Sequence, residues 1–586
     1  MPKAFKYQFR NFLWIAAITA VLVAGCRSTK YVPSDKYLLN SVKIKNPNSN
    51  IKKNEFYTLL KQKPNKRLLG TKFYLNLYNL SNIKKEKGIN KYLRKLGEEP
   101  VIYEPYLTER SADQFKLFLK KKGYYNAVVT DSVTYHKRKA NLVFHIRQNK
   151  PYLIQDISYN ISDTLVKQYV FSDTLNTLLK RGKPVDEDVL NNERIRIETH
   201  LKNQGYFSFS RNYISYSIDS AFNHKANVEM VIRSYEEKLP NNSIKITPHK
   251  QYKIRDVLIT TENNANFLPY KKNGAAIKKD TIISNGIRFV YQENFWIRPN
   301  VILQSSYITP KSYYRLSDTE DTKRYLTSLN VFSIVNIQYN ELPFSDSAGN
   351  RLLDCSIQLT PLSIQSYDIG LEGTNTSGNL GGGVNLSYQH KSLFGNAEIF
   401  QFKVHGAIES VKRIDNSKLD KTWEVGADAT IFIPKFLLPL NSIRFIKKYN
   451  PKSTVSTSYN YQQRPNYTMA LANVSFGYNW KQGRYITHQV NLLEMNLAYL
   501  PRTSPEFQKL LDTTFLKYSY NSHLVPVTSY TWQYNNQNIK KSTDFKFIKI
   551  NIESAGNILS GVNRLLGSPK VEDHYELFGI RYSQYL

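Results

Sequence analysis

Residues that could do covalent chemistry are few in this chain. It holds two cysteines, Cys26 and Cys355, and ten scattered histidines. No Gly-x-Ser-x-Gly elbow, His-Glu-x-x-His, Cys-x-x-Cys or Walker loop occurs, so nucleophilic, zinc, redox and phosphate-transfer sites have no footing in the sequence. His136 and His145 flank a hairpin and read as solvated or core-edge side chains rather than metal ligands. The run from Gly378 to Gly383 leads into a strand, so no helix N-terminus stands ready to hold a phosphate. These residues predict a protein that is not an enzyme and uses no metal or cofactor. What remains is one thiol near the N-terminus and the hydrogen bonds of the backbone.

The thiol is that of Cys26. Lys3, Lys6 and Arg10 precede an apolar run over 12–24, which ends in Val23-Ala24-Gly25-Cys26. A basic region, an apolar core of about a dozen residues and small residues before a cut describe a secretory signal, too short for a spanning helix. Residues 1–25 are the expected signal peptide, cut between Gly25 and Cys26, and 26–36 a linker. The cysteine at this place resembles a bacterial lipobox, in which the thiol is acylated and becomes the lipid attachment site. Arg27, Ser28, Thr29 and Lys30 include no acid, unlike the surface-export signal of some Bacteroidota lipoproteins, so the acyl chain is expected in the periplasmic leaflet. Cys355 is then left alone, without an intrachain disulfide.

Backbone hydrogen bonding dominates the second half. Over 366–480 apolar residues fall on every second position between turns, as in Trp423, Val425, Ala427, Ala429, Ile431 and Ile433. Alternate strand side chains point to opposite faces, so each segment has an apolar and a polar side. Segments of about 9–12 residues with aromatic ends fit tilted membrane strands, and 43 Tyr and 29 Phe fit interfacial girdles. Ten strand candidates follow: 366–375, 382–390, 397–409, 422–433, 454–462, 469–480, 484–499, 526–535, 543–553 and 575–586. The net charge of +34, from 81 Lys and Arg against 47 Asp and Glu, is spread along the chain and brings no nucleic-acid motif. Attraction to an anionic membrane surface is the simpler expectation, with no nucleic acid as partner.

Between signal and barrel the sequence echoes itself three times. A helix ending in Leu119, Leu201 or Leu326 is followed four residues on by Gly123, Gly205 or Asn330, then by aromatic or apolar residues and two strands. Glycine takes the left-handed conformation freely and asparagine tolerates it, so these positions read as helix-end turns that shape small cores. A strand precedes each copy, giving the order β-α-α-β-β. The expected domains are 37–149, with a basic insertion at 64–105, then 150–240 and 250–362, the last with an insertion at 267–295.

That pattern resembles the POTRA domain, and three copies ahead of a barrel resemble the BamA/TamA outer-membrane assembly family, with the lipobox pointing to its TamA-like lipoprotein (TamL) of Bacteroidota. Tyr367-Asp-Ile-Gly370-Leu-Glu-Gly373-Thr and Leu393-Phe-Gly-Asn-Ala-Glu398 are similar to the family's first strand and first periplasmic turn. The resemblance implies an α+β tandem of POTRA-like domains followed by an antiparallel transmembrane β-barrel at 363–586. Since the family has sixteen strands, it implies a C-terminally truncated sequence, with about ten present. It further implies strand pairing with unfolded outer-membrane protein clients at Tyr367, Ile369, Leu371 and Gly373, the lateral edge of the first strand. The partners would be outer-membrane lipids and those clients, and an inner-membrane-anchored, periplasm-spanning partner is left open. The location would be the cell outer membrane, with the repeats in the periplasm. The alternatives are a dedicated two-partner-type secretion pore and a passive channel or receptor.

Overall fold

The computed structural model describes residues 28–582, apart from 47–50, 69, 222, 239–242, 262–278, 293–294, 377–378, 413–418, 438–444, 446–448, 450, 519, 521, 539–543, 568, 570–574 and 578–579. Gly25 and Cys26 lie outside the described residues. The chain forms two compact units, one of residues up to 201 with 209–249, the other of 202–208 with 250–586.

The first unit contains two repeats. In the first, β1 (Leu38–Lys45) leads to α1 (Lys53–Leu59) and then to two insertion helices, α2 (Phe73–Leu80) and α3 (Ile89–Leu96). Helix α4 (Pro105–Lys121) and strands β2 (Val128–His136) and β3 (Lys139–Arg147) complete it. The sheet order is β1-β3-β2, with β1 parallel and β2 antiparallel to β3. Alternation along β3 buries Ala140, Leu142, Phe144 and Ile146, and the last three share a core with Phe56 of α1 and Phe115 and Leu119 of α4. Burying such side chains contributes about 1.5–3 kcal/mol each.

The second repeat has β4 (Leu153–Ile161), α5 (Thr164–Ser172), α6 (Glu187–Asn203), β5 (Ile214–Ala221) and β6 (Lys225–Ile232) in the same order, β4-β6-β5. Asp163 starts α5 by accepting the N–H groups of Leu165 and Val166 at 3.1 and 3.2 Å. Its other oxygen accepts the His249 N–H at 2.7 Å. A hairpin of β7 (Tyr235–Lys238) and β8 (Ile244–Thr247) precedes His249, so the first unit runs past residue 240, where the second repeat was expected to stop.

In the second unit the third repeat comprises β9 (Tyr252–Thr261), β10 (Lys279–Ser284), β11 (Ile287–Gln292), α7 (Pro299–Gln304), α8 (Leu316–Ser328), β12 (Phe332–Ser345) and β13 (Arg351–Pro361). The described part of the 267–295 insertion is the β10–β11 hairpin, which extends the sheet to five strands, β10-β11-β9-β13-β12. Cys355 on β13 is buried in this core, where burial pushes its thiol up to about 12.

Nine strands then form one meander: β14 (Gln365–Thr376), β15 (Asn379–Lys391), β16 (Ile399–Lys412), β17 (Leu419–Ile433), β18 (Lys452–Gln463), β19 (Tyr467–Gln482), β20 (Ile486–Thr503), β21 (His523–Asn535) and β22 (Phe547–Ala555). Each pairs antiparallel with the next. Helix α9 (Pro505–Thr513) rises between β20 and β21, and α10 (Asn557–Leu565) follows β22. Among the described residues the tenth expected strand adds no ladder to this sheet, only a single parallel bridge from Tyr582 to Leu524 of β21. Its described residues instead give a two-stranded ladder of β23 (Glu576–Leu577) and β24 (Ile580–Arg581). Parity shows that a segment can be a strand; membership of a sheet depends on a partner, which parity does not encode.

Candidate functional site

The register of the meander sorts its side chains by chemistry. Partner by partner, Ile369, Leu386, Val404, Ala427, Tyr459, Ala472, Leu497 and Leu524 form one row across eight strands. The neighbouring row reads Asp368, Ser387, Lys403, Asp428, Ser458, Asn473, Asn496 and Val525. Directly paired residues share a face, so the sheet has one apolar side and one polar side. On the polar side Asn460 and Gln462 donate to the Glu424 carboxylate at 2.6 and 3.1 Å, and Asn473 donates to Asn496 at 2.6 Å.

The apolar side carries no protein layer among the described residues. Ile369 is 73% exposed, Leu371 81% and Ile552 61%. A water-soluble sheet would bury such a face under a second layer, and exposed patches on soluble monomers stay within a few hundred Å². Strands of 9 to 18 residues are long enough to span a bilayer, which needs about 9–11 when tilted. At the rim where β14 leaves the third repeat, Phe436 lies on Tyr478 with ring centroids 4.7 Å apart, and Trp480 stacks on His488 at 4.9 Å. Aromatics at that level suit a lipid–water boundary. Among the described residues no helix is long and apolar enough to cross a membrane.

β14 is the edge of this sheet, paired with β15 on one side and with no strand on the other among the described residues. Tyr367, Ile369, Leu371 and Gly373 share its apolar side, paired with Tyr388, Leu386, Val384 and Gly382. The Tyr367 and Tyr388 rings lie 5.1 Å apart. On the polar side Glu372 accepts from Asn385. The second strand has Gly381, Gly382 and Gly383 in a row, and a Cβ on Gly381 would meet the Thr374 hydroxyl at 2.6 Å and the Ile408 carbonyl at 2.8 Å. The glycines permit that close approach and leave the leading hairpin with little side-chain packing. Half of the backbone N–H and C=O groups of β14 face outward, a ready template for another strand.

Each helix-end turn lies beside a later segment of its own compact unit. Gly123 has φ +86°, Gly205 +99° and Asn330 +57°. In the first unit the Gly123 carbonyl accepts the Tyr152 N–H at 2.9 Å, and Lys122 holds Asp186 and Asp188 at 2.9 and 2.7 Å. In the second unit the Gly205 carbonyl accepts the Tyr252 N–H at 2.9 Å. Next to Asn330, the Val331 carbonyl accepts the Leu362 N–H at 2.9 Å. The sequence pointed to their backbone conformation; the hydrogen bonds made beside them needed the fold.

A further joint went unread in the sequence. The turn between β15 and β16 seats on the third repeat, with the Arg298 N–H donating to the Gly395 carbonyl at 2.7 Å and Ala397 buried in that repeat's core. Lys452 Nζ, on the same rim, donates to the Ser328 carbonyl at the end of α8 at 2.6 Å. Leu393-Phe-Gly-Asn-Ala-Glu398 was the visible signal, though not for what it touches. Among the described residues no group of His, Cys, Asp and Glu converges as a metal site.

No protein-family model and no curated protein matches this chain. Solved structures similar to it include Haemophilus influenzae BamA POTRA3-5, at 12% identity and TM-score 0.27, covering 56% of this chain and 99% of that one. Another is Haemophilus ducreyi BamA lacking POTRA domains 1-3, at 11% identity and TM-score 0.31, covering 69% and 70%. CdiB from Acinetobacter baumannii aligns at 9% identity and TM-score 0.24, covering 69% and 68%. At such scores the functional reading rests on the strands and side chains described above.

Proposed function

We propose that this chain is an outer-membrane lipoprotein of the BamA/TamA type, akin to the TamA-like lipoprotein of Bacteroidota. It assists the insertion or translocation of other outer-membrane or surface proteins and breaks no covalent bond. Cys26 carries the lipid in the periplasmic leaflet, and the POTRA-like repeats guide unfolded clients in the periplasm. The observation that carries this reading is a nine-strand antiparallel sheet whose exposed apolar face suits lipid, with β14 as its first strand. An incoming strand would add to that edge by backbone hydrogen bonds, which need no particular client sequence. Loss of little side-chain packing at Gly381–Gly383 would let the leading hairpin move aside as the new strand pairs.

The test is site-specific crosslinking. A photoreactive residue placed in turn at 367–374 should capture a barrel client caught during assembly, whereas the same residue on the central strand β18 should not. Equal capture from β18, or none from β14, removes the reading.

A further inference from the structure

The insertion in the first repeat makes a surface that the repeat's own core does not use. Helix α3 has no buried residue, and its Ile89, Tyr92 and Leu96 are 74%, 65% and 50% exposed. At 3.6 residues per turn these three fall, with Leu93, within an arc of about 100°. Asn90, Lys91, Arg94 and Lys95 occupy the rest of the helix, and Lys84, Lys85 and Lys87 stand on the loop before it, against the single acid Glu86. Arg94 ties that loop to the helix by donating to the carbonyls of Asn82 and Lys85 at 2.8 and 2.9 Å. Gly97 lets α3 close against α2, because a Cβ there would lie 2.6 Å from the Tyr78 nitrogen.

The second observation is how the N-terminal linker is fastened to the same helices. Lys30 Nζ donates to the Asn79 carbonyl at 2.6 Å and the Tyr31 hydroxyl to the Ser81 carbonyl at 2.5 Å, both at the end of α2. The Tyr31 ring meets Tyr78 edge-on at 6.1 Å, and Val32 is buried with Leu38 and Leu75. Cys26 stands four residues before Lys30 in the sequence. Extended chain spans at most about 3.6 Å per residue, so an acyl group on Cys26 enters the membrane within roughly 14 Å of this clamp.

We propose that α3 and its lysine-rich lead-in dock on the anionic lipid surface that receives the Cys26 anchor. The Ile89–Tyr92–Leu96 stripe lies at the boundary of headgroups and acyl chains, and the lysines face phospholipid phosphates. Lipid is favoured over a protein partner because protein interfaces are depleted in lysine, whereas here lysine surrounds the apolar stripe. The nearness of the anchor rests on the lipoprotein reading above; the stripe and its charges do not. The insertion thereby gives the lipoprotein a second membrane contact, and one acyl chain with a basic patch binds more firmly than either alone.

The test uses the full lipidated chain in vesicles of phosphatidylethanolamine and phosphatidylglycerol, with an environment-sensitive probe on Tyr92→Cys. Cys355 does not compete for the probe at neutral pH, being buried with its thiol pushed up to about 12. Quenching by spin-labelled lipid should be several-fold stronger than for the same probe on Asp113→Cys, an exposed site of α4. Replacing Lys84, Lys85, Lys91 and Lys95 by Glu in a Cys26→Ser chain should reduce the Tyr92→Cys signal several-fold. If Tyr92→Cys is unquenched while a probe on Ser28→Cys is quenched, the docking proposal fails and the anchor stands. If Tyr92→Cys is quenched in the Cys26→Ser chain and wild-type Cys26 bears no acyl group, docking stands and the anchor fails. Shielding of Tyr92→Cys from lipid and aqueous quenchers alike means that a protein covers the helix, which also overturns the proposal.

Discussion

Glu398 is 5% exposed, and its carboxylate accepts N–H groups from Phe394 at 3.3 Å, Asn396 at 3.0 Å and the Asn396 side chain at 2.8 Å. Those donors hold together a turn in which Ser392 and Ala397 sit at φ +86° and +61°, where side chains are crowded. Burial alone would raise the Glu398 carboxyl. The Asn396 side chain and the backbone N–H groups of Glu398, Asn396 and Phe394 outweigh it and hold the group below its ordinary 4.5. A folded value below the unfolded one gives stability that is present above about pH 4.5 and lost as pH falls through the folded value. Glu398→Ala should therefore cost about 1–3 kcal/mol at pH 7, by orphaning the donors, with a narrower gap to wild type at an acid pH well below 4.5. Thermal unfolding of the detergent-solubilised chain at both pH values reads this. A gap that stays constant or widens in acid means that ionised Glu398 is not what holds the turn.

The strand edge of β14 makes a prediction of its own. In an antiparallel ladder alternate residues turn both backbone groups toward the neighbour, and those between turn them outward. Proline removes the N–H, so prolines placed singly at 367 to 372 should alternate in effect. At one parity the sheet should lose about 1 kcal/mol or more and client crosslinking together. At the other, stability should hold while crosslinking is lost, since proline is tolerated on an outward edge. Crosslinking that survives proline at the outward-facing positions would mean that clients do not pair with this edge. The strand itself was legible: parity over 366–375 anticipates Gln365–Thr376, and 469–480 anticipates Tyr467–Gln482. Alternation is a local property, carried by each segment. The β10–β11 hairpin was not legible, because β11 finds its place beside β9 by a parallel pairing across the insertion. The seat of the Ser392–Ala397 turn on Arg298 was hidden for the same reason.

At the scale of each compact unit, backbone hydrogen bonds tie the helix-end turns to the strands that follow them. Tyr152 and Tyr252 each donate to a glycine carbonyl at a helix end and accept an N–H in return, from Val185 and Tyr314, all at 2.9 Å. In the second unit the joint of the third repeat to the sheet has two further fastenings, Arg298 N–H to Gly395 and Lys452 to the Ser328 carbonyl. A cation at a helix C-terminus contributes about 0.3–1 kcal/mol, and the hydrogen bond roughly 1 kcal/mol more. Lys452→Met keeps the aliphatic stem and removes the donor. Gly395→Val places a branched side chain where Arg298 atoms lie 3.2 Å from a Cβ, at a φ of +87° that only glycine adopts easily. Together they should open this joint by about 2 kcal/mol, which is roughly 30-fold faster hydrogen exchange at the Arg298 amide. The amides of β17 to β19 should keep their protection, since neither substitution breaks their ladders. If exchange at Arg298 is unchanged, the turn is not what fastens the third repeat. If it accelerates throughout the sheet, the joint and the barrel strands open as one body, and an edge that moves independently of the repeat beneath it is ruled out.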